Sequence, residues 1–366
     1  MPLGSRPFLI WYFCLILLVS EIGCRKQETF KIGYVGGLVS KTGDLGLSGR
    51  EGATLAVELH NHLPGSVQID LVAVNDAQEQ QDLETSIRYL VDQQVEGIVG
   101  PMTSSMTQFA LPLINQHRLL TISPTSSSWY LDELDDYLFR IYPSSKKMGA
   151  VLAEWASTNN IHSVGIIKDL DNAVHAEAFA EVFAGKVEEL GSEVKFNLSY
   201  RASGNPVFST MLDRIQDWPE ALLLLCNSSD SALICQQLWK RRLRIQVLAS
   251  EWSVSPTVFM MGGKSIEGMI VVSATDPSCE TERYQAFQSA YRNRFDREAD
   301  FAAVLTFDAT NMLIEALLSR QDPKHHLLVR DTFEALQGPF SFDKYGDSVQ
   351  PIHLVRVVNG KLVTIQ

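Results

Sequence analysis

Gly97-Ile98-Val99-Gly100-Pro101-Met102-Thr103-Ser104-Ser105 is the stretch whose reading decides the fold. A short apolar run meets Gly-Pro, then Thr and Ser ahead of a helical pattern over 104–116. That sequence of events is a buried strand, a loop and a helix start. The same order recurs around it. Residues 30–35 read as a strand, and 49–61 as a helix with Ala53, Ala56, Val57 and Leu59 near helical period. Residues 67–74 and 78–93 form the next strand and helix, with Leu83, Ile87, Leu90 and Val91 inward. Residues 119–122 are a further strand. Apolar runs followed each time by a helical pattern predict β-α-β units in a buried parallel sheet.

The alternation restarts after Tyr142-Pro143-Ser144-Ser145. Helices are expected over 148–157, 176–190, 208–215 and 231–241. Strands are expected over 164–167, 194–196, 221–225, 247–249 and 268–272. Two long amphipathic helices, 280–295 and 301–318, follow. The tail reads as a hairpin, 352–358 and 361–365, around Asn359-Gly360. The whole is α/β, with two doubly wound parallel-sheet lobes joined by three crossovers near Ser145, Ser273 and Pro339. The expected lobes are 28–145 plus 276–338, and 146–275 plus 339–366.

Ahead of them, residues 1–23 have the form of an export signal. Arg6 supplies positive charge, and 8–19 is an apolar run too short for a span of about 20 residues. Small Gly23 precedes Cys24 as in a lipobox, whose Cys is acylated. Glu21 stands where that motif usually has Leu. An uncleaved N-terminal anchor is the alternative. Both place a membrane-tethered body outside the cytoplasm, periplasmic or at the cell surface.

The chain has 366 residues, 45% hydrophobic and 20% charged, enough for two full cores. Its net charge of −12 argues against nucleic acid or an anionic membrane face as partner. Five cysteines include Cys14 and Cys24; Cys226, Cys235 and Cys279 remain, with no C-x-x-C spacing for a metal or redox pair. Cys226 and Cys235 are either a disulfide or buried thiols.

In doubly wound sheets, ligands sit beyond the carboxyl ends of the strands. The loops there are rich in Gly, Ser and Thr and poor in catalytic groups. Residues 100–105, with Ser104 and Ser105, and 123–128, with Thr125 and Ser127, run into helix starts. Hydroxyls and free N–H groups at such places suit a carboxylate. The plainer reading is that they are N-caps. In the other lobe, Glu251 could accept from an ammonium and Trp252 could supply an apolar or cation–π wall. A solvated loop Glu is the alternative.

From residue 30 to the end, the chain resembles the type I periplasmic solute-binding proteins of the branched-chain amino-acid (leucine/isoleucine/valine) group. The segments that carry this are 31–38, 42–46, 52–58, Gly97-Ile98-Val99-Gly100-Pro101 with Ser104-Ser105, Ile122-Ser123-Pro124, Phe139-Arg140, and 338–347. The resemblance implies an extracytoplasmic receptor that delivers a solute to an ABC permease, as a monomer and without a cofactor. It implies ligand contacts from the Ser104 hydroxyl, the Thr125 carbonyl, Ser127 and Glu251, with Glu251 facing the ammonium. Leu45 falls where the family lines its side-chain pocket. Where members commonly carry Tyr-Gly, this chain has 169–175, with His175 the nearest replacement or a plain surface histidine. No aromatic occupies 227–229, so a branched-chain ligand does not follow.

Enzyme motifs are fragmentary. Ser144-Ser145-Lys146-Lys147 and Lys41-Thr42-Gly43 are in the wrong order for a penicillin-binding enzyme. Gly263-Lys264-Ser265 lacks the first P-loop Gly, since Val258 stands there. The expectation is a receptor that closes on an amino acid or related small polar solute. A lipoprotein with a sensory or cell-wall-regulating role through protein partners is the alternative.

Overall fold

The computed structural model describes residues 29–39 and 44–365. The expected signal segment, Cys24 and Lys41-Thr42-Gly43 lie outside the described residues.

The first lobe holds β1 (Thr29–Gly36), β2 (Gln68–Asn75), β3 (Gly97–Val99), β4 (Leu120–Ser123) and β5 (Leu138–Arg140). They form one sheet in the order β2-β1-β3-β4-β5, with every pair parallel. Tyr34, Val35, Ile98, Val99, Ile122 and Phe139 are fully buried, as a sheet covered on both faces requires. The chain reverses its winding between β1 and β3, so the loops after these two strands flank a crevice at their carboxyl ends.

The second lobe begins with β6 (Ser163–Asp169), β7 (Glu193–Tyr200), β8 (Ala221–Leu225), β9 (Gln246–Ser250) and β10 (Ile270–Ser273). A small antiparallel sheet follows, β11 (Phe333–Ala335), β12 (Gly338–Phe342) and β13 (Ser348–Val349). Then β14 (His353–Val358) and β15 (Lys361–Thr364) complete the second sheet in the order β15-β14-β10-β9-β8-β6-β7. Its winding reverses between β6 and β8. The β14–β15 hairpin turns on Asn359 (φ 52°) and Gly360 (φ 71°), the left-handed pair that an Asn-Gly turn needs.

The sequence placed the third crossing near Pro339. The hydrogen bonds put residues 338–349 with the first lobe instead: the Arg140 N–H donates to the Gly346 carbonyl at 2.9 Å, and Arg140 pairs with Asp347. The chain therefore crosses between β13 and β14. The other two crossings follow β5 and β10.

The helices Glu282–Phe295 and Phe301–Leu318 return to the first lobe, where the second packs along the helix Asp44–Asn61. Gly52 allows this approach: a Cβ there would lie 2.3 Å from the Ala303 carbonyl oxygen. The apolar helix Phe301–Leu318 is a core helix, buried over most of its length. Cys226 and Cys235 are buried free thiols, pushed up in pKa by burial.

Candidate functional site

The loops after β1, β3, β4, β6 and β9 meet between the lobes around a small inner cavity. Leu45, Met102, Thr125 and Ser127 face it from the first lobe, and Asn172, His175 and Trp252 from the second. Tyr142, on the first crossing, and Phe301, at a helix start, close it. The lobes leave about 20 Å³ here, room for one water. A larger occupant requires the lobes to separate.

The loops are held by their own hydroxyls. The Ser104 Oγ accepts from the backbone N–H groups of Ser127 (3.1 Å) and Ser128 (3.2 Å). The helix Ser104–His117 is capped by Thr103 instead, which leaves Ser104 for this task. Ser105 spans the lobes. Its N–H donates to Asn172 Oδ1 at 3.2 Å, and its Oγ accepts from the Val174 N–H at 3.1 Å. Asn172 precedes the helix Ala173–Glu189, so two helix N-termini approach the cavity from opposite lobes.

His175 is a second tie between the lobes. Its Nδ1 is 2.8 Å from Ser127 Oγ, and its Nε2 3.3 Å from Ser250 Oγ. Its ring meets Trp252 edge-on, with centroids 5.6 Å apart. Burial lowers its pKa to about 4. At neutral pH the ring is uncharged, with one nitrogen donating and the other accepting.

A second small compartment adjoins the first and shares Leu45, Trp252 and Phe301 with it. Asp44, Asn227, Ser228, Ser255 and Asp300 supply its polar wall. One oxygen of Asp44 accepts from three second-lobe hydroxyls: Ser228 (3.2 Å), Ser255 (2.8 Å) and Thr257 (2.6 Å). Asp300 caps its helix by accepting from the Ala303 N–H and takes a further bond from Ser48.

Glu251 is placed differently. Its carboxylate is 3% exposed, lies outside the inner cavity's wall and points into the hinge. Oε2 accepts from the Tyr142 hydroxyl (2.9 Å) and the Ala274 N–H (2.9 Å). Oε1 accepts from Thr275 Oγ1 (2.7 Å) and from the Ser273 hydroxyl. Burial raises its pKa, and these four donors oppose the rise. Tyr142 belongs to the first crossing and residues 273–275 to the second, so one carboxylate clasps both.

The structure thus brings Leu45, Thr125, Ser127, His175 and Trp252 to one cavity. Ser104 and Ser105 stand behind it as supports, and Glu251 stands apart. Met102, Tyr142, Asn172, Phe301 and Asp44 were not singled out in the sequence. Position was the signal for Met102, Tyr142, Asn172 and Asp44, which lie in strand-to-helix loops or on a crossing; Phe301 opens a helix that follows another helix and had none.

A sequence profile of the family described as periplasmic binding protein matches residues 29–361. The leucine-, isoleucine-, valine-, threonine- and alanine-binding protein of Pseudomonas aeruginosa is 20% identical over 331 residues, 87% of each chain. Among solved structures, a branched-chain amino acid transporter substrate-binding protein from Streptococcus pneumoniae, in complex with isoleucine, superposes with a TM-score of 0.84. It is 21% identical, with 92% of this chain and 99% of that one covered. A solute-binding protein of an ABC transporter from Rhodopseudomonas palustris, in complex with 3,4-dihydroxybenzoic acid, gives 0.83 at 20% identity, covering 92% and 96%. The profile spans nearly all the described residues and the parallel sheets form two lobes, so the chain belongs to the periplasmic binding protein family, in its type I arrangement.

Proposed function

We propose that this protein is the extracytoplasmic receptor of an ABC importer, which closes its two lobes on a small polar solute of the amino-acid or organic-acid kind. The observation that carries this is the inner cavity, whose wall is drawn from the strand-to-helix loops of both lobes. A solute there touches both lobes only when they are closed, so its binding energy shifts the hinge equilibrium toward the closed form. The ligands of the relatives, amino acids in some and a hydroxylated benzoic acid in another, agree with this range.

The finer reading follows the same line. Ser127, Thr125, His175, Trp252 and Leu45 contact the solute; Ser104 and Ser105 hold the loops that do. The chain acts as a monomer that presents its closed form to a permease, tethered to a membrane by lipid at Cys24.

A thermal-shift screen of the protein, unfolded and refolded to strip any carried solute, tests the proposal. The panel is amino acids, amides and small organic acids. A solute at a hundred times its Kd stabilises the fold by about 2.7 kcal/mol. A shift confined to one chemical class supports the receptor. A flat response across the panel favours instead a lipoprotein that acts through protein partners.

A further inference from the structure

We propose that the solute is a carboxylic acid with an apolar body and no ammonium group. This rests on the cleft being a solute site, and it names the class that the site selects.

An α-amino acid carries its ammonium one carbon from its carboxylate, so both charges enter the same compartment. A buried ammonium needs acceptors, and a charged one above all, because an uncompensated buried charge is far costlier than a neutral group. Among the described residues facing the inner cavity there is no carboxylate. The acid that the family resemblance offers for this role, Glu251, is engaged by four donors of its own chain. Swinging it toward a ligand would strand the buried Ala274 N–H and the Tyr142 hydroxyl in the hinge. Asp44 and Asp300 stand in the adjoining compartment, past Leu45, Trp252 and Phe301, each with partners of its own. The Thr125 carbonyl remains as a neutral acceptor, which does not balance a full charge.

For an anion the site is well supplied. Ser127 offers a hydroxyl, Asn172 an amide and His175 a neutral imidazole with one N–H. Behind the wall, the Ser104 hydroxyl holds the Ser127 and Ser128 N–H groups and so fixes the loop that presents the Ser127 hydroxyl. The two helix N-termini add their positive ends. Beyond these donors the walls are Trp252, Phe301, Met102 and Leu45, which suit a flat or branched apolar body.

The test uses calorimetry on the intact protein with matched pairs that differ only in the ammonium: leucine against 4-methylpentanoate, and phenylalanine against 3-phenylpropanoate. The expected result is that the acid of at least one pair binds about tenfold or more tightly than its amino acid. The ratio stays the same in Glu251→Gln, because Glu251 acts on the hinge and on both partners alike. Tighter binding of the amino acids overturns the proposal. So does a Glu251→Gln variant that selectively loses amino-acid binding. The wild-type comparison needs no variant to fold. If these pairs fail while only amino acids or amides of the panel bind, the acid class is wrong and the receptor stands; an ammonium-free organic acid that binds supports the class. If nothing in the panel binds, the receptor reading itself falls.

Discussion

The Tyr142 hydroxyl donates to Glu251 Oε2 across 2.9 Å, joining the first crossing between the lobes to the loop that follows β9. Because the same carboxylate also takes Ala274 and Thr275 from the second crossing, the two connections cannot move independently. The hinge is therefore a braced pair of strands rather than two loose links.

Tyr142→Phe removes one of four donors from a buried carboxylate. A lost hydrogen bond of this kind costs about 1–3 kcal/mol. Urea unfolding of the variant should show that loss. A midpoint equal to wild type would mean that the bond contributes nothing to the hinge.

His175 gives the molecule a pH dependence with a definite sign. Its pKa is about 4 in the folded, closed state, against roughly 6.5 when unfolded. The unfolded chain thus binds the proton first. The stability contributed by the neutral ring is complete above pH 6.5 and is lost as pH falls from there toward 4. Between pH 7.5 and 5.5 the loss is about 1 kcal/mol. His175→Gln should lack it. The comparison must be made between the two proteins, because Asp76 and Asp169, both raised to about 6 by burial, act in the opposite direction. Parallel stability–pH curves for the two would refute the assignment.

Asp44 is the acceptor for three hydroxyls from the opposite lobe. Asp44→Ala leaves the closed form without that tie and the open form nearly unchanged. The radius of gyration in solution scattering should rise. Affinity for any solute that binds the closed form should fall by about tenfold, equivalent to roughly 1.4 kcal/mol. An unchanged radius and Kd would place closure under the control of other contacts.

Gly52→Ala pushes a Cβ to 2.3 Å from a backbone oxygen that has no side chain to yield. Overpacking of this kind costs about 1–3 kcal/mol. Gly185, with nothing within 4 Å of its added Cβ, is the control. There Ala should raise the thermal midpoint, since Gly is about 1 kcal/mol worse than Ala in a helix. Two variants that lose stability equally would contradict the packing argument.

What was legible in the sequence follows from range. The strands Ala221–Leu225 and Ile270–Ser273 announce themselves because an uninterrupted apolar run is a local signal. β5, three residues long, has no period to read; it exists as the neighbour of β4, Thr121 opposite Leu138, with the Gly346 carbonyl accepting from the Arg140 N–H on its outer side. The third crossing was misplaced for the same reason. Thr125, Ser127, His175 and Trp252 could be placed near the strands' carboxyl ends because the doubly wound pattern says where those loops lie. Glu251 sits in the right loop as well, but its direction is set by Tyr142 and residues 273–275, which nothing near position 251 reveals. Met102 and Phe301 look like ordinary core residues until the lobes are assembled.

The late return of the chain to the second lobe bears on biosynthesis. β14 pairs with β10, Ile270 opposite Arg356, so that sheet lacks two strands until residues 353–364 have been made. The first lobe, too, waits for residues 282–349. Neither half can finish its core while the chain is being made, and pairings between such distant segments form slowly. A polypeptide destined for the far side of a membrane gains from that delay. Without residues 353–364 the second sheet is incomplete, which keeps the chain easier to thread.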